Sequence, residues 1–293
     1  MNDGVVPPWA VPLTDVERTL VQYAVLVAAF ALAAMLLRML SARSEVSDRY
    51  RPAVHASIGV VGVAFLSYVV LAVEIHLGYA RRGGVWTPTG DAVTTWAARY
   101  MDWTISVPLL VVEVVAVSAL AGRAARRARA IGVAAAVLMV LLGFVGGVVV
   151  GGGRDLSALL GFGIASSLCF LVLYAVVIGT VVRSLPVLPA AARSSLTQAA
   201  LVLLVVWFVY PVVFGLQGIV HGGAWTTAAH LALCAADVVA KVGFGLLVLR
   251  TARIRTAADV LAGEATHPED VWIDQLRHAD AVQPPVLDRS PLA

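Results

Sequence analysis

The sequence predicts an all-α membrane protein, a bundle of seven transmembrane helices, and three observations predict it. Mean hydropathy is +0.89, with 60% hydrophobic and only 13% charged residues, far from the balance of a water-soluble domain. Apolar runs recur at 19–38, 55–79, 97–120, 130–151, 156–182, 197–218 and 227–250, each about long enough to cross ~30 Å of hydrocarbon at ~1.5 Å per residue. Within the runs apolar character is continuous rather than alternating. That selects helices over a closed barrel, since backbone groups in lipid find partners only inside the protein.

The segment ahead of the first run, "MNDGVVPPWAVPLTDVER" (1–18), contains prolines and sets three acids against one arginine. It is the opposite of the basic start of a removable signal and is expected to remain as an extracellular segment. Arginines orient the seven runs. Arg43, Arg49 and Arg51 follow the first, Arg123, Arg126, Arg127 and Arg129 the third, Arg183 and Arg193 flank the loop after the fifth, and Arg250, Arg253 and Arg255 follow the seventh. The opposite side offers Arg18, Arg81, Arg82 and Arg154. The positive-inside rule then places the N-terminus outside the cell membrane and the C-terminus in the cytoplasm. The pI of about 9.1 reports this asymmetry and gives no support to nucleic-acid binding. The fourth run ends in "GFVGGVVVGGG" (143–153) and the fifth opens near "GFG" (161–163), glycines that suit close helix packing or a tight outer turn. Cys169 and Cys234 both fall inside runs, so neither a disulfide nor a metal-ligand spacing is expected. Residues 19–252 form the bundle. Residues 253–293, rich in acids and prolines, are expected to form a largely disordered cytoplasmic tail with a short helix around 269–279.

Charges at bilayer depth are expensive, so each needs a partner or a task. The stretch "CAADVVAKVGFGLLVLR" (234–250) contains Lys241, the single lysine of the chain; arginines carry all other basic charge. Asp237 lies four residues before it, on the same helical face. Taken alone the pair has two readings. It is a buried ion pair that fixes helix packing, or a buried amine available for Schiff-base chemistry with an aldehyde. The third run reads "RYMDWTISVPLLVVE" (99–113), with Asp102, Ser106 and Glu113 as polar points. Asp102 and Glu113 are about three turns, or ~16 Å, apart near one face. Carboxylates at different depths suit a proton relay better than a metal site, which needs them close together. Pro108 removes one backbone hydrogen bond between them. Glu113 also reads as a residue that snorkels toward the surface.

These residues carry a resemblance. "RYMDWTISVPLLVVE" resembles the third helix of microbial rhodopsins, "WFVYP" (207–211) their sixth and "DVVAKVGFG" (237–245) their seventh. The three motifs occur in order, and the likeness spans residues 19–252, nearest to outward proton pumps such as bacteriorhodopsin and proteorhodopsin. It implies that the bundle encloses a retinal pocket, with all-trans retinal bound covalently to Lys241 as a protonated Schiff base. It implies further that Asp102 is counterion and proton acceptor, Asp237 the second counterion, and Arg99 the arginine on their extracellular side. Ser106 stands where such pumps commonly have threonine. Glu113 matches the cytoplasmic proton donor, with Ser57 placed to bond it. Trp103, Trp207, Tyr210, Tyr68, Pro211, Leu110, Met139, Gly143 and Phe214 match cofactor contacts, Phe214 in place of a tryptophan. Leu110 implies green absorption, because blue-tuned relatives carry glutamine there. Phe162 fills the position where a glycine opens a window for an antenna carotenoid, so no antenna is expected. Ala229 replaces a release glutamate and Ser67 a histidine that partners the acceptor. Glu74 and His76 are then candidates for proton release, or surface residues.

The resemblance thus implies a light-driven outward proton pump, an ion transporter and no enzyme, working as a homo-oligomer in the bilayer. The alternative is a photosensory rhodopsin with a slow cycle that signals to a cytoplasmic or membrane partner; the carboxylic donor at Glu113 favours the pump. A chloride or sodium pump would normally alter the Asp102-Ser106-Glu113 triplet. A retinal-free receptor or structural membrane protein would show no visible absorption.

Overall fold

The computed structural model describes residues 5–263, and seven helices among them are long and apolar enough to cross a membrane. They are α1 (Asp15–Ser41), α2 (Arg51–Leu77), α3 (Thr94–Val117), α4 (Gly122–Phe144), α5 (Leu156–Ser184), and two that are interrupted. The sixth span consists of α6 (Ala190–Trp207) and α7 (Val209–Leu216), and the seventh of α8 (Gly223–Val238) and α9 (Phe244–Leu261). A small antiparallel hairpin, β1 (Tyr79–Arg82) and β2 (Val85–Pro88), joins α2 to α3. Each span packs on the next in chain order, and α8 closes the ring against α1. Large apolar side chains such as Phe30, Leu37 and Val205 stay exposed around the outside. In water such a surface would aggregate; in lipid it is the solvated face.

Local chemistry explains the ends and breaks. Thr14 and Glu17 form a capping box at the start of α1, which satisfies amides that the first turn leaves unpaired. The sixth span breaks at Phe208, three residues before Pro211. Proline has no N–H, so the carbonyl four residues back, that of Trp207, loses its helical partner. The Leu204 carbonyl, freed by the same break, accepts from Tyr174 Oη on α5. The fourth span passes into a π turn at Val145–Val149. It then ends in Gly151, Gly152 and Gly153, with φ of 60°, 61° and 74°, a left-handed backbone only glycine adopts freely. The glycine run thus does both things expected of it, since Gly146 and Gly147 pack against Phe162 and Phe214.

The seventh span runs to Leu261, past the predicted domain end at 252. The added turns have partners. Arg255 Nη1 donates to the carbonyls of Val117 (3.1 Å) and Ser118 (2.5 Å), which end α3. Ser47 N donates to Thr256 Oγ1 at 3.0 Å, and Tyr50 Oη to Asp259 Oδ2 at 2.7 Å. Burial and the Asp259 carboxylate push the Tyr50 phenol up from its ordinary value. The helix expected at 269–279 and the tail from 264 onward lie outside the described residues.

At the opposite end, the N-terminal segment folds back over the bundle. Thr226 Oγ1 donates to the Pro8 carbonyl at 3.2 Å and Val5 N to the Arg154 carbonyl at 3.1 Å. Trp9 packs against Trp96 of α3 with ring centroids 6.2 Å apart.

Candidate functional site

Two polar stripes face each other in the middle of the bundle. On α3 the stripe is Arg99, Asp102, Ser106 and Glu113. On the seventh span it is His230, Cys234, Asp237 and Lys241, at spacings of four, three and four residues that keep one helical face. Lys241 lies inside a second π turn, Val239–Gly243. Such turns are rare because the widened ring packs poorly, and they concentrate at functional positions.

The stripes meet at Lys241. Its Nζ donates to Asp102 Oδ2 at 2.5 Å and to Asp237 Oδ1 at 3.0 Å, and the side chains of all three are at most 2% exposed. Arg99 Nη1 stands 3.6 Å from Asp237 Oδ2. Two cations and two carboxylates make the cluster neutral, which is what allows four charges to be buried together.

The two carboxylates are not equivalent. Asp237 accepts from Tyr210 Oη at 2.7 Å, from Trp103 Nε1 at 3.1 Å and from Tyr68 Oη at 2.7 Å, besides Lys241. A proton could bind it only by displacing a donor. Asp102 has Lys241 on one oxygen. Its Oδ1 makes no well-formed hydrogen bond among the described residues, and the Ser106 hydroxyl is the group that approaches the carboxylate. Asp102 is the carboxylate with room for a proton.

Beyond Trp103 and Tyr210 opens a cavity of ≈ 250 Å³ with an apolar, aromatic wall. Of the predicted contacts, Trp103, Trp207, Tyr210, Pro211, Met139, Gly143 and Phe214 line it. Tyr68 instead sits on Asp237, and Leu110 is buried outside the lined wall. Phe162 is a correction. It lies against Gly146 of the fourth span, where an added Cβ would strike its side chain, and does not line the cavity. The wall residue there is Gly163, with the Phe214 ring laid across it. The reason is helical phase: one residue turns the side chain by about 100°. Beside Gly163 the cavity reaches Leu160 and Ile164, which are exposed to lipid.

Glu113 is 1% exposed, so it does not snorkel. The Ser57 hydroxyl approaches it from α2, and its Oε2 has no partner among the described residues. Ser67 Oγ donates to the Ala98 carbonyl at 3.0 Å and leaves Asp102 alone. His76 is exposed and meets Arg18 Nη2 at 3.4 Å, while Arg18 stacks on Trp86; the Glu74 carbonyl caps α2. His230 escaped sequence reasoning. Its ring accepts from Arg99 Nη2 at 3.2 Å and is 2% exposed, and the four-three-four spacing back from Lys241 was the signal for it.

A model of the bacteriorhodopsin-like protein family matches residues 19–254. The chain belongs to that family. It is therefore a microbial rhodopsin, a multi-pass retinal protein of the membrane and a photoreceptor in the broad sense. It is similar to bacteriorhodopsin-I of Haloarcula marismortui, 31% identical over 73% of this chain and 83% of that one. It is also similar to sensory rhodopsin-2 of Natronomonas pharaonis, 30% identical over 71% and 80%. Among solved structures it resembles a thermophilic rhodopsin (28% identical, TM-score 0.77, covering 85% of this chain and 98% of that). It also resembles xanthorhodopsin, described as a light-driven ion pump with dual chromophore (25%, TM-score 0.75, covering 85% and 98%).

The residues fit retinal. The cavity is apolar as a polyene requires and is near the lower end of ligand-pocket volumes, roughly 300–1,000 Å³. Its wall residues Trp103 and Tyr210 also bond Asp237, which brings the end of the cavity to the Lys241 amine. The cluster stays neutral as long as the Lys241 nitrogen keeps its one positive charge, and a carboxylate already stands on either side of it.

Proposed function

We propose that this microbial rhodopsin is a light-driven outward proton pump, with all-trans retinal linked to Lys241 Nζ and the N-terminal side facing outward. When bound, retinal supplies light absorption and an isomerisation that displaces the proton-bearing Lys241 nitrogen. Every other part of the cycle falls to the chain. Asp102 receives the proton at its under-bonded carboxylate, and Ser106, one turn along α3, orders the approach to it. Asp237, saturated by Tyr68, Tyr210 and Trp103, stays an anion and keeps Arg99 near. Glu113, sealed in the other half of α3 beside Ser57, returns a proton to the Lys241 nitrogen and is refilled from the cytoplasm.

The observation that carries this reading is the inequality of the two carboxylates together with a third, buried beside Ser57, about three turns away. A pigment needs only a counterion; an acceptor with a free oxygen and a donor behind it serve transport. Recording pH outside retinal-loaded vesicles of known orientation is the test. Light should move protons from the C-terminal to the N-terminal side, and an uncoupler should abolish the change. No light-driven pH change would leave the photosensor, which the similarity to a sensory rhodopsin favours. The reading includes a homo-oligomer and a single chromophore. Added carotenoid should then not sensitise the pigment.

A further inference from the structure

Arg99 is held at two ends. Nη1 donates to Tyr68 Oη at 3.1 Å and stands 3.6 Å from Asp237. Nη2 donates to His230 Nδ1 at 3.2 Å and reaches Cys234 Sγ at 3.5 Å. Arginine has no lone pair to give, so Nδ1 is the acceptor and the ring is neutral, with its proton on Nε2. Thiol sulfur accepts weakly, which makes His230 the strong partner at this end. The ring is itself fixed, buried and packed on Trp96 with centroids 5.1 Å apart.

We propose that His230 is a positioning residue for the counterion cluster: by accepting from Nη2 it holds the Arg99 charge against Asp237 and so sets how readily Asp102 takes a proton. The argument is one of balance. Lys241, Asp237 and Cys234 of the seventh span, Arg99 and Asp102 of α3, Tyr68 of α2 and Tyr210 of α7 are the charged and titratable groups facing this point. Arg99 lies on the N-terminal side of Asp237, buried and with its Nε unpartnered among the described residues, so the contacts at Nη1 and Nη2 are what hold it in place. Without an acceptor at Nη2, a buried guanidinium gains by turning toward that side, because an unpaired buried donor is costly. Its charge then leaves the carboxylates, and Asp102 protonates more easily. The inference rests on Asp102 as the anion beside the Lys241 nitrogen and holds whether the pigment pumps or signals.

The test is an acid colour titration of the full-length, retinal-loaded protein in the dark. Disappearance of the transition in Asp102→Asn identifies it as the titration of Asp102. His230→Phe, or His230→Leu if the larger ring is not accommodated, should raise the midpoint by about one pH unit, the size of one lost interaction of ~1.4 kcal/mol. His230→Asn places an amide oxygen near the position of Nδ1 and should keep the midpoint within a few tenths. An unmoved midpoint in the apolar variants overturns the inference and leaves the pump reading standing. An Asn variant shifted as far as the apolar ones also overturns it, since ring volume and not the acceptor would then be the cause. A transition that persists in Asp102→Asn removes the counterion assignment, and the proposal with it.

Discussion

Lys241, Arg99, Asp102 and Asp237 form one charge-balanced unit, and removing any member leaves the others uncompensated in a dry interior. Lys241→Ala should abolish the covalent pigment, because the chain holds no other lysine; a visible band that survives washing and denaturation would refute the attachment. Asp102→Asn should red-shift the absorption maximum and stop light-driven pH change, since the positive nitrogen loses its nearest anion, at 2.5 Å, and its acceptor. Absorption spectra across pH check the first half and vesicle recordings the second. At this scale most of the site was legible. Buried charges are rare enough that Lys241, Asp237, Asp102 and Glu113 stood out from spacing alone, and the family resemblance gave the aromatic wall. His230 did not stand out, because a histidine near the end of an apolar run reads as a wet terminus. The four-three-four spacing puts it on the Lys241 face, but the contact that gives it a role, with Arg99, comes across from α3.

Among the elements, the breaks matter more than the regular turns. Pro211 explains the interruption of the sixth span, whereas the π turn under Lys241 has no residue that signals it: "VVAKVG" differs little from ordinary helix. The end of α9 was misjudged for a similar reason. Its last turns are polar and look like the start of a tail, yet Arg255 is 8% exposed and closes the end of α3. Arg255→Ala should therefore lower thermal stability by about 2–3 kcal/mol, the scale of lost charge-assisted bonds, without moving the absorption maximum. A melt identical to wild type would mean that α9 ends functionally near 252. The hairpin supplies a second test. Tyr79 Oη is buried with no partner among the described residues, and burial pushes its phenol from 10.0 up to about 12. The unfolded chain ionises first, so this residue's share of stability is intact below pH 10 and is lost as pH rises from 10 to 12, on the order of 2 kcal/mol. Tyr79→Phe should melt no lower than wild type at pH 8 and show a shallower alkaline decline; equal declines would contradict the burial argument.

For the whole molecule, a single α3 face links the two half-paths. Asp102 and Glu113 lie ~16 Å apart along it, and of these two the Lys241 nitrogen touches Asp102. In the proposed pump, direction depends on the nitrogen losing its proton toward one carboxylate and recovering it from the other. Seven helices, their order and their lipid-facing surface followed from hydropathy, because span length is set by the bilayer. The inequality of the carboxylates did not, since it depends on which tyrosines from α2 and α7 arrive at Asp237. Glu113→Gln tests the scheme as a whole. The dark spectrum should stay nearly unchanged, because the substitution is three turns from the counterion. Loss of the proton from the Lys241 nitrogen should proceed, because Asp102 is intact. Recovery should slow by about 10²-fold or more and become pH-dependent, since general acid–base groups contribute roughly 10²–10⁴ and protons must then come from bulk water. Azide, a small weak acid that can carry protons into the half-path, should restore part of the rate. Flash photolysis of the variant decides between the readings. Decay at the wild-type rate would take Glu113 out of the cycle and leave the chain with a counterion cluster suited to sensing alone.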